Sequence, residues 1–215
     1  GVNASDLLAQ SLGKQRVLGG LTKIFSKIDT PGIINHFTGV TFIGFGDYFS
    51  DPSLPKEQTV ISDRCIELEN LLDSTEGIDA KAYPDIKKEL WRKILLFGST
   101  SGIGSVTRTP NGIFRDIPET RKMLIDLMHE ILKIGQGQKV NLGDEDFEWA
   151  ISTIDSMEPE SNSSLFRDIE AKKPSELYSI HGYLLEQAER LSVEVPTLSF
   201  IYHSLIPQES LVRQS

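Results

Sequence analysis

The chain has 215 residues, enough for one large domain or two small ones and for a core that needs no covalent staples. Its 22 basic and 31 acidic side chains leave a formal charge of −9, which argues against a nucleic-acid partner, because phosphate binding needs clustered positive charge. The lone cysteine, Cys65, excludes an internal disulfide and leaves a thiolate metal cluster without ligands; no apolar run approaches the roughly 20 residues of a membrane helix. The opening GVNASDLLAQ carries neither an initiator Met nor a basic-then-apolar signal pattern, so the expectation is a soluble, cytoplasmic protein with no membrane partner.

Leu7, Leu8 and Leu12 predict a short helix over 3–12 with one apolar side. RVLGGLTKIF (16–25) predicts a strand whose Gly19 and Gly20 suggest a bulge or a close backbone approach. TPGIINH (30–36) predicts a turn, and GVTFIGFG (39–46) a second strand bounded by glycines. Ile61, Cys65, Ile66, Leu68 and Leu72 predict a helix over 57–72, with Gly77 as its stop.

From Tyr83 onward helical signals take over. KKELWRKILLF (87–97) is apolar at Leu90, Trp91, Ile94 and Leu95. Residues 119–135 carry a stripe of Met123, Leu124, Leu127, Met128, Ile131 and Leu132, ended by Gly135. Residues 144–155 begin with acids, where the helix dipole favours them. Over 175–192, Leu177, Ile180, His181, Leu184, Leu185, Ala188 and Leu191 line one face, and Pro196 opens a last short helix to about Leu205. The chain thus divides near residue 82. Residues 1–82 form an α/β part with too few strands for a complete doubly wound sheet, like the end of one; residues 83–215 are all-α.

ILLFGSTSGIGSV (94–106) resembles the glycine-rich turn of short-chain dehydrogenases, with Gly98, Gly102 and Gly104 spaced to admit a pyrophosphate at a helix N-terminus. Its context argues against that use. The preceding KKELWRK is helical in pattern, Pro110 and Gly112 follow closely, and a Tyr-x-x-x-Lys spacing occurs only upstream, at Tyr83 and Lys87. The alternative is a tight break between two helices. His36, His129, His181 and His203 lack metal-ligand spacing, so no metal site is expected, and His181 reads as a hydrogen-bonded core residue. No Gly-x-Ser-x-Gly elbow occurs. Taken singly, Lys93 reads as a solvated helical lysine, Glu176 as a first-turn acid, and Ser163 or Ser164 as the N-cap of LFRDIEAK.

Taken together, ELWRK (89–93), TPNG (109–112) and SSLFRDIEAKKPSELYSIHG (163–182) resemble the C-terminal half of the ketopantoate reductase family, the 2-dehydropantoate 2-reductases. That family's pattern runs from a Leu-Trp-x-Lys helix through an Asn-Gly turn and a Ser-to-Asp stretch to a Glu opening the next helix, a Gly within that helix and a Val-Pro-Thr-like turn. Here the same order is Leu90 to Lys93, Asn111-Gly112, Ser164 to Asp168, Glu176, Gly182 and Val195 to Thr197. VLGGLT, PGIINH and the strand ending IGFG resemble the last strands of the family's nucleotide-binding domain, so the similarity runs along essentially the whole chain.

The resemblance implies a fold. Residues 1–82 would be the last strands of a Rossmann-type NADP-binding domain without its glycine fingerprint. Residues 83–215 would be a helical substrate and catalytic domain resembling the 6-phosphogluconate dehydrogenase C-terminal-like fold. It also implies an NADPH-dependent reductase that takes a 2-oxo acid to a 2-hydroxy acid in pantothenate and coenzyme A biosynthesis. Lys93 would then be the general acid that protonates the carbonyl oxygen, and Glu176 would contact the substrate hydroxyl and help place Lys93. Ser164 would hold the substrate carboxylate, with Asn111 and Asp168 supporting the pocket. The family usually has asparagines one and two helical turns after its lysine. Here those positions hold Phe97, which forms no side-chain hydrogen bond, and Ser101, a substrate contact of shorter reach. This departure leaves room for another 2-oxo acid, or for a non-catalytic paralogue kept as a helical dimerisation module. No G-x-G-x-x-G turn precedes Gly19, so the chain reads as a fragment expected to bind NADPH poorly. An incomplete sheet is expected to offer an open edge, favouring a homodimer or strand exchange through residues 16–46.

Overall fold

The computed structural model describes residues 2–24, 26–36, 40–49 and 60–214, with the side chain of Lys27 outside that description. Asn3–Leu90 forms one compact unit, and Trp91–Ser215 with Gly1–Val2 forms the other.

The first unit contains α1 (Ala4–Leu12), a 3-10 turn (Lys14–Arg16), β1 (Leu18–Lys23), β2 (Ser26–Thr30), β3 (Ile33–His36), β4 (Thr41–Asp47), α2 (Asp63–Asp73) and β5 (Ile78–Ala82). β4 is central, antiparallel to β1 and parallel to β5. A parallel pair needs a crossover, and α2 lies on it, as β-α-β connectivity requires. Cys65, at 1% exposure, packs against Phe45, Ala80 and Ala82, with Ile61, Leu68 and Leu72 around them. Arg64 secures α2 by hydrogen bonds to Asp47 and to the backbone oxygen of Gln15. Burial pushes the Asp47 carboxyl up, but hydrogen bonds from Ser62 and Arg64 outweigh it and hold the group below its ordinary range.

Residues 30–36 are not merely a turn: Ile33–His36 is a strand paired with Ser26–Thr30, and only Pro31-Gly32 reverses the chain, with Gly32 at φ 86°. Residues 78–82 form β5 although the sequence marks no strand there, since the apolar positions are only Ile78, Ala80 and Ala82. The helix predicted over 57–72 begins at Asp63, and residues 57–59 lie outside the described residues. It ends at Asp73 rather than at Gly77, which sits at φ 84° in the turn into β5. Leu7, Leu8 and Leu12 of α1 are about half exposed, so the predicted apolar side does not enter this core. Gly19 and Gly20 make no bulge, because the β1–β4 register is continuous. Gly19 does serve close approach: a Cβ there would lie 2.9 Å from Ile86 Cγ2.

The second unit is helical. α3 (Ile86–Thr107) runs into it, followed by α4 (Asn111–Asp116), α5 (Pro118–Gly137), α6 (Asp144–Ser156), α7 (Ser164–Glu170), a π turn (Tyr178–Gly182), α8 (Tyr183–Leu191) and α9 (Pro196–Gln214). The stripe on α5 is the core: Leu124, Leu127, Met128, Ile131 and Ile134 are fully buried, beside Leu95, Ile103, Leu184 and Ile201. Burial of so many large side chains, at roughly 1.5–3 kcal/mol each, is what orders these helices. Glu130 is buried in the same helix and accepts the Thr197 and Leu198 amides at 2.9 and 2.8 Å, which caps α9 behind Pro196. α9 runs to Gln214, past the expected end near Leu205, and carries Pro207 inside it.

The glycine-rich string 94–106 is neither a strand with a phosphate turn nor a break between helices. α3 continues through it without interruption, and the break comes at Arg108–Pro110. That removes the short-chain dehydrogenase reading. The glycines serve helix packing instead: a Cβ on Gly102 would lie 2.8 Å from His181 Nε2 and 3.3 Å from Leu127 Cδ2.

Candidate functional site

Lys93, Phe97 and Ser101 lie one turn apart on α3 and share one ridge. Lys93 is half-buried, Phe97 is 42% exposed and Ser101 is 3% exposed. Ser101 Oγ turns back onto its own helix and donates to the Gly98 carbonyl at 3.2 Å. The Gly98 carbonyl also receives a bond from outside the helix, since His181 Nε2 lies 2.9 Å away. Ile180, one residue earlier, packs against Gly98.

Glu176 is exposed two residues before the π turn, and its backbone oxygen accepts the Ile180 amide at 3.0 Å. The residue before it is clamped. Ser175 donates its amide and its hydroxyl to the buried Glu209 carboxylate at 3.0 and 2.6 Å. Arg213 bonds Glu209 at 2.6 Å and the Ser175 carbonyl at 2.7 Å. Burial raises the Glu209 carboxyl, yet the Ser175 and Arg213 hydrogen bonds prevail and hold it low. Neither Glu209 nor Arg213 was picked out from sequence; their i, i+4 spacing was the available signal, hidden beyond the expected end of the helix.

Ser163 caps α7, accepting the Phe166 amide at 3.0 Å, so the open choice between two serines resolves to Ser163, and Ser164 stands exposed on the first turn. Asp168, half-buried four residues on, has its carboxyl pushed up by burial; Lys173 and Arg167 oppose this, while the Glu176 and Glu209 carboxylates add to it. Asp168 and Glu176 are therefore within electrostatic reach of each other. Asn111 is engaged elsewhere. It is 6% exposed, and its Nδ2 donates to Ser161 Oγ at 2.8 Å and approaches Met157 Sδ at 3.3 Å, so it holds the 157–161 loop. Gly112 donates to the Pro159 carbonyl at 2.8 Å in the same loop.

By side-chain chemistry, an ammonium such as that of Lys93 can give up a proton, and the Asp168 and Glu176 carboxylates can accept from hydroxyl groups. Among the described residues no group of three His, Cys, Asp or Glu could hold a metal, and no helix is long and apolar enough to cross a membrane.

A family model described as the C-terminal part of ketopantoate reductase PanE/ApbA matches residues 85–209, more than half of the chain. The uncharacterized oxidoreductase YkpB of Bacillus subtilis is 28% identical over 200 residues, spanning 92% of this chain and 62% of that protein. The 2-dehydropantoate 2-reductase of Pyrococcus horikoshii is 24% identical over 198 residues, spanning 91% and 61%. The crystal structure of 2-dehydropantoate 2-reductase from Methylococcus capsulatus superposes with a TM-score of 0.82 at 22% identity, over 100% of this chain and 65% of that one. This chain thus covers just under two thirds of the length of these proteins. The order of Lys93, Asn111, Ser164, Asp168 and Glu176 falls within the matched stretch, and the chain belongs to the ketopantoate reductase family.

Proposed function

We propose that the chain is the C-terminal part of a nicotinamide-dependent reductase that converts a 2-oxo acid to a 2-hydroxy acid, of the 2-dehydropantoate 2-reductase type. The observation that carries this reading is the half-buried Lys93 on α3, inside the stretch matched by the family model. Residues 1–82 would belong to the nucleotide-binding domain and residues 83–215 to the substrate domain.

In this reading Lys93 holds the proton that the ketone oxygen takes up, and Glu176 receives a substrate hydroxyl. The exposed Ser164 is free to meet the substrate carboxylate. Asp168 and Asn111 act behind them, Asp168 by its charge beside Glu176 and Asn111 by holding the 157–161 loop. Ser101 stays within α3 and supports the ridge.

NADPH is the cofactor this reading calls for. Gly98, Gly102 and Gly104 do not fit its pyrophosphate, because they sit in the middle of α3, where backbone amides bond to the preceding turn rather than to a ligand. A homodimer belongs to the same proposal. It is supported by the β2–β3 hairpin, which exposes Ile28, Ile33 and Ile34 at 60–73%.

The test is reduction of 2-oxo acids by the intact gene product, followed by loss of nicotinamide absorbance. Lys93→Ala should lower turnover by roughly 10²–10⁴. Undiminished turnover in that variant would overturn the assignment.

A further inference from the structure

Between Ile94 and Ser105 every residue of α3 is buried except Phe97. An aromatic ring at 42% exposure on an otherwise enclosed helix marks an opening onto that helix. One turn earlier stands the Lys93 ammonium. One turn later stands Ser101, buried, its hydroxyl committed to the Gly98 carbonyl. One turn past Lys93 the ridge therefore offers an incoming molecule a ring face in place of a hydrogen-bonding side chain. Ile180 beside Gly98 adds a second apolar surface.

We propose that Phe97 is the specificity-determining residue of the substrate site and selects 2-oxo acids whose substituent is apolar, preferably aryl. The proposal rests on the 2-oxo acid reading of the same site. An anionic, carbonyl-bearing head is drawn to Lys93, and the substituent on the far side of the carbonyl falls along the ridge. The part of the substituent that lies over Phe97 would lose water without gaining a partner if it bore a hydroxyl beyond the reach of Glu176, whereas an apolar group covers the exposed ring. A ring stacked on Phe97 gains offset or edge contacts as well.

The experiment compares kcat/KM of the intact gene product for phenylglyoxylate and for 2-dehydropantoate, in the wild type, Phe97→Asn and Phe97→Leu. The wild-type ratio should favour phenylglyoxylate, fall about tenfold in Phe97→Asn and be largely retained in Phe97→Leu. A fold defect lowers both substrates together and leaves the ratio alone. A wild-type preference for 2-dehydropantoate, or a ratio unmoved by Phe97→Asn, overturns the proposal. If neither acid is reduced, the reductase reading fails, and binding decides the present proposal separately. The fluorine resonance of 4-fluorophenylglyoxylate should then broaden with the wild type and not with Phe97→Asn; equal or absent broadening overturns it.

Discussion

His181 Nε2 lies 2.9 Å from the carbonyl oxygen of Gly98 and ties the π turn that follows Glu176 to the helix that bears Lys93. A carbonyl can only accept, so Nε2 carries a proton in this contact. Nδ1 has no hydrogen-bond partner among the described residues. Burial depresses the pKa of this ring to about 4, against a smaller opposing pull from the Gly98 bond.

That depression predicts a pH dependence. The unfolded chain, with an ordinary histidine near 6.5, takes up the proton before the folded one does. Stability is then full above about pH 6.5 and is lost as pH falls towards 4. At about 1.4 kcal/mol per pKa unit, roughly 2 kcal/mol should go between pH 7 and pH 5. Urea unfolding at the two pH values should show this in the wild type and much less of it in His181→Asn. An equal loss in both proteins would exclude His181 as the cause.

The two glycines nearest that contact should respond oppositely to alanine. At Gly102 the added Cβ meets His181 Nε2 at 2.8 Å, so the ring must move; we expect a loss of about 1–3 kcal/mol. At Gly98 the nearest atoms, on Ile94 and Ile131, stand at 3.5 and 3.6 Å, ordinary contact distance. Gly98→Ala should be neutral or stabilising by up to about 1 kcal/mol, through helix propensity. Denaturant midpoints of the two variants, measured together, check the contrast.

Glu209→Ala should cost about 2–3 kcal/mol, because it strands the Ser175 amide and hydroxyl in a buried position and removes the partner of Arg213. Glu209→Gln keeps one acceptor and should cost less. Hydrogen exchange at the Ser175 amide should quicken in both, more in the alanine variant; unchanged exchange would mean that Ser175 is held by something other than this carboxylate.

Asn111→Ala should loosen the 157–161 loop at a cost of about 1–2 kcal/mol, since its amide spans to Ser161 and Met157. Faster exchange of the Gly112 amide, which donates to Pro159, is the direct measure. A stability loss with no change at Gly112 would place the damage elsewhere.

The helices of the second unit were legible because their apolar residues recur at the helical period over long stretches. The 119–135 stripe became the core of α5 (Pro118–Gly137) almost residue for residue. Short elements were harder. Residues 30–36 read as a turn because Pro31-Gly32 dominates the local signal, and the pairing of β3 with β2 is a cross-strand fact that neither segment states alone. The string Gly98–Gly104 read as a break because three glycines disfavour an isolated helix by roughly 1 kcal/mol each. Close packing against His181, Leu127 and Phe114 outweighs that propensity.

Sequence order alone determined the family resemblance, the acidic balance and the residues proposed to carry chemistry, because these depend on residue identity and spacing along the chain. Which of those residues share surroundings was decided by tertiary structure. Only folding placed Asp168 within reach of Glu176, turned Asn111 onto the 157–161 loop, buried Ser101 and left Phe97 open one turn from Lys93. The physical reason is that burial and hydrogen-bond partners come from elements distant in sequence. A helix periodicity states which face is apolar, but not what will cover it.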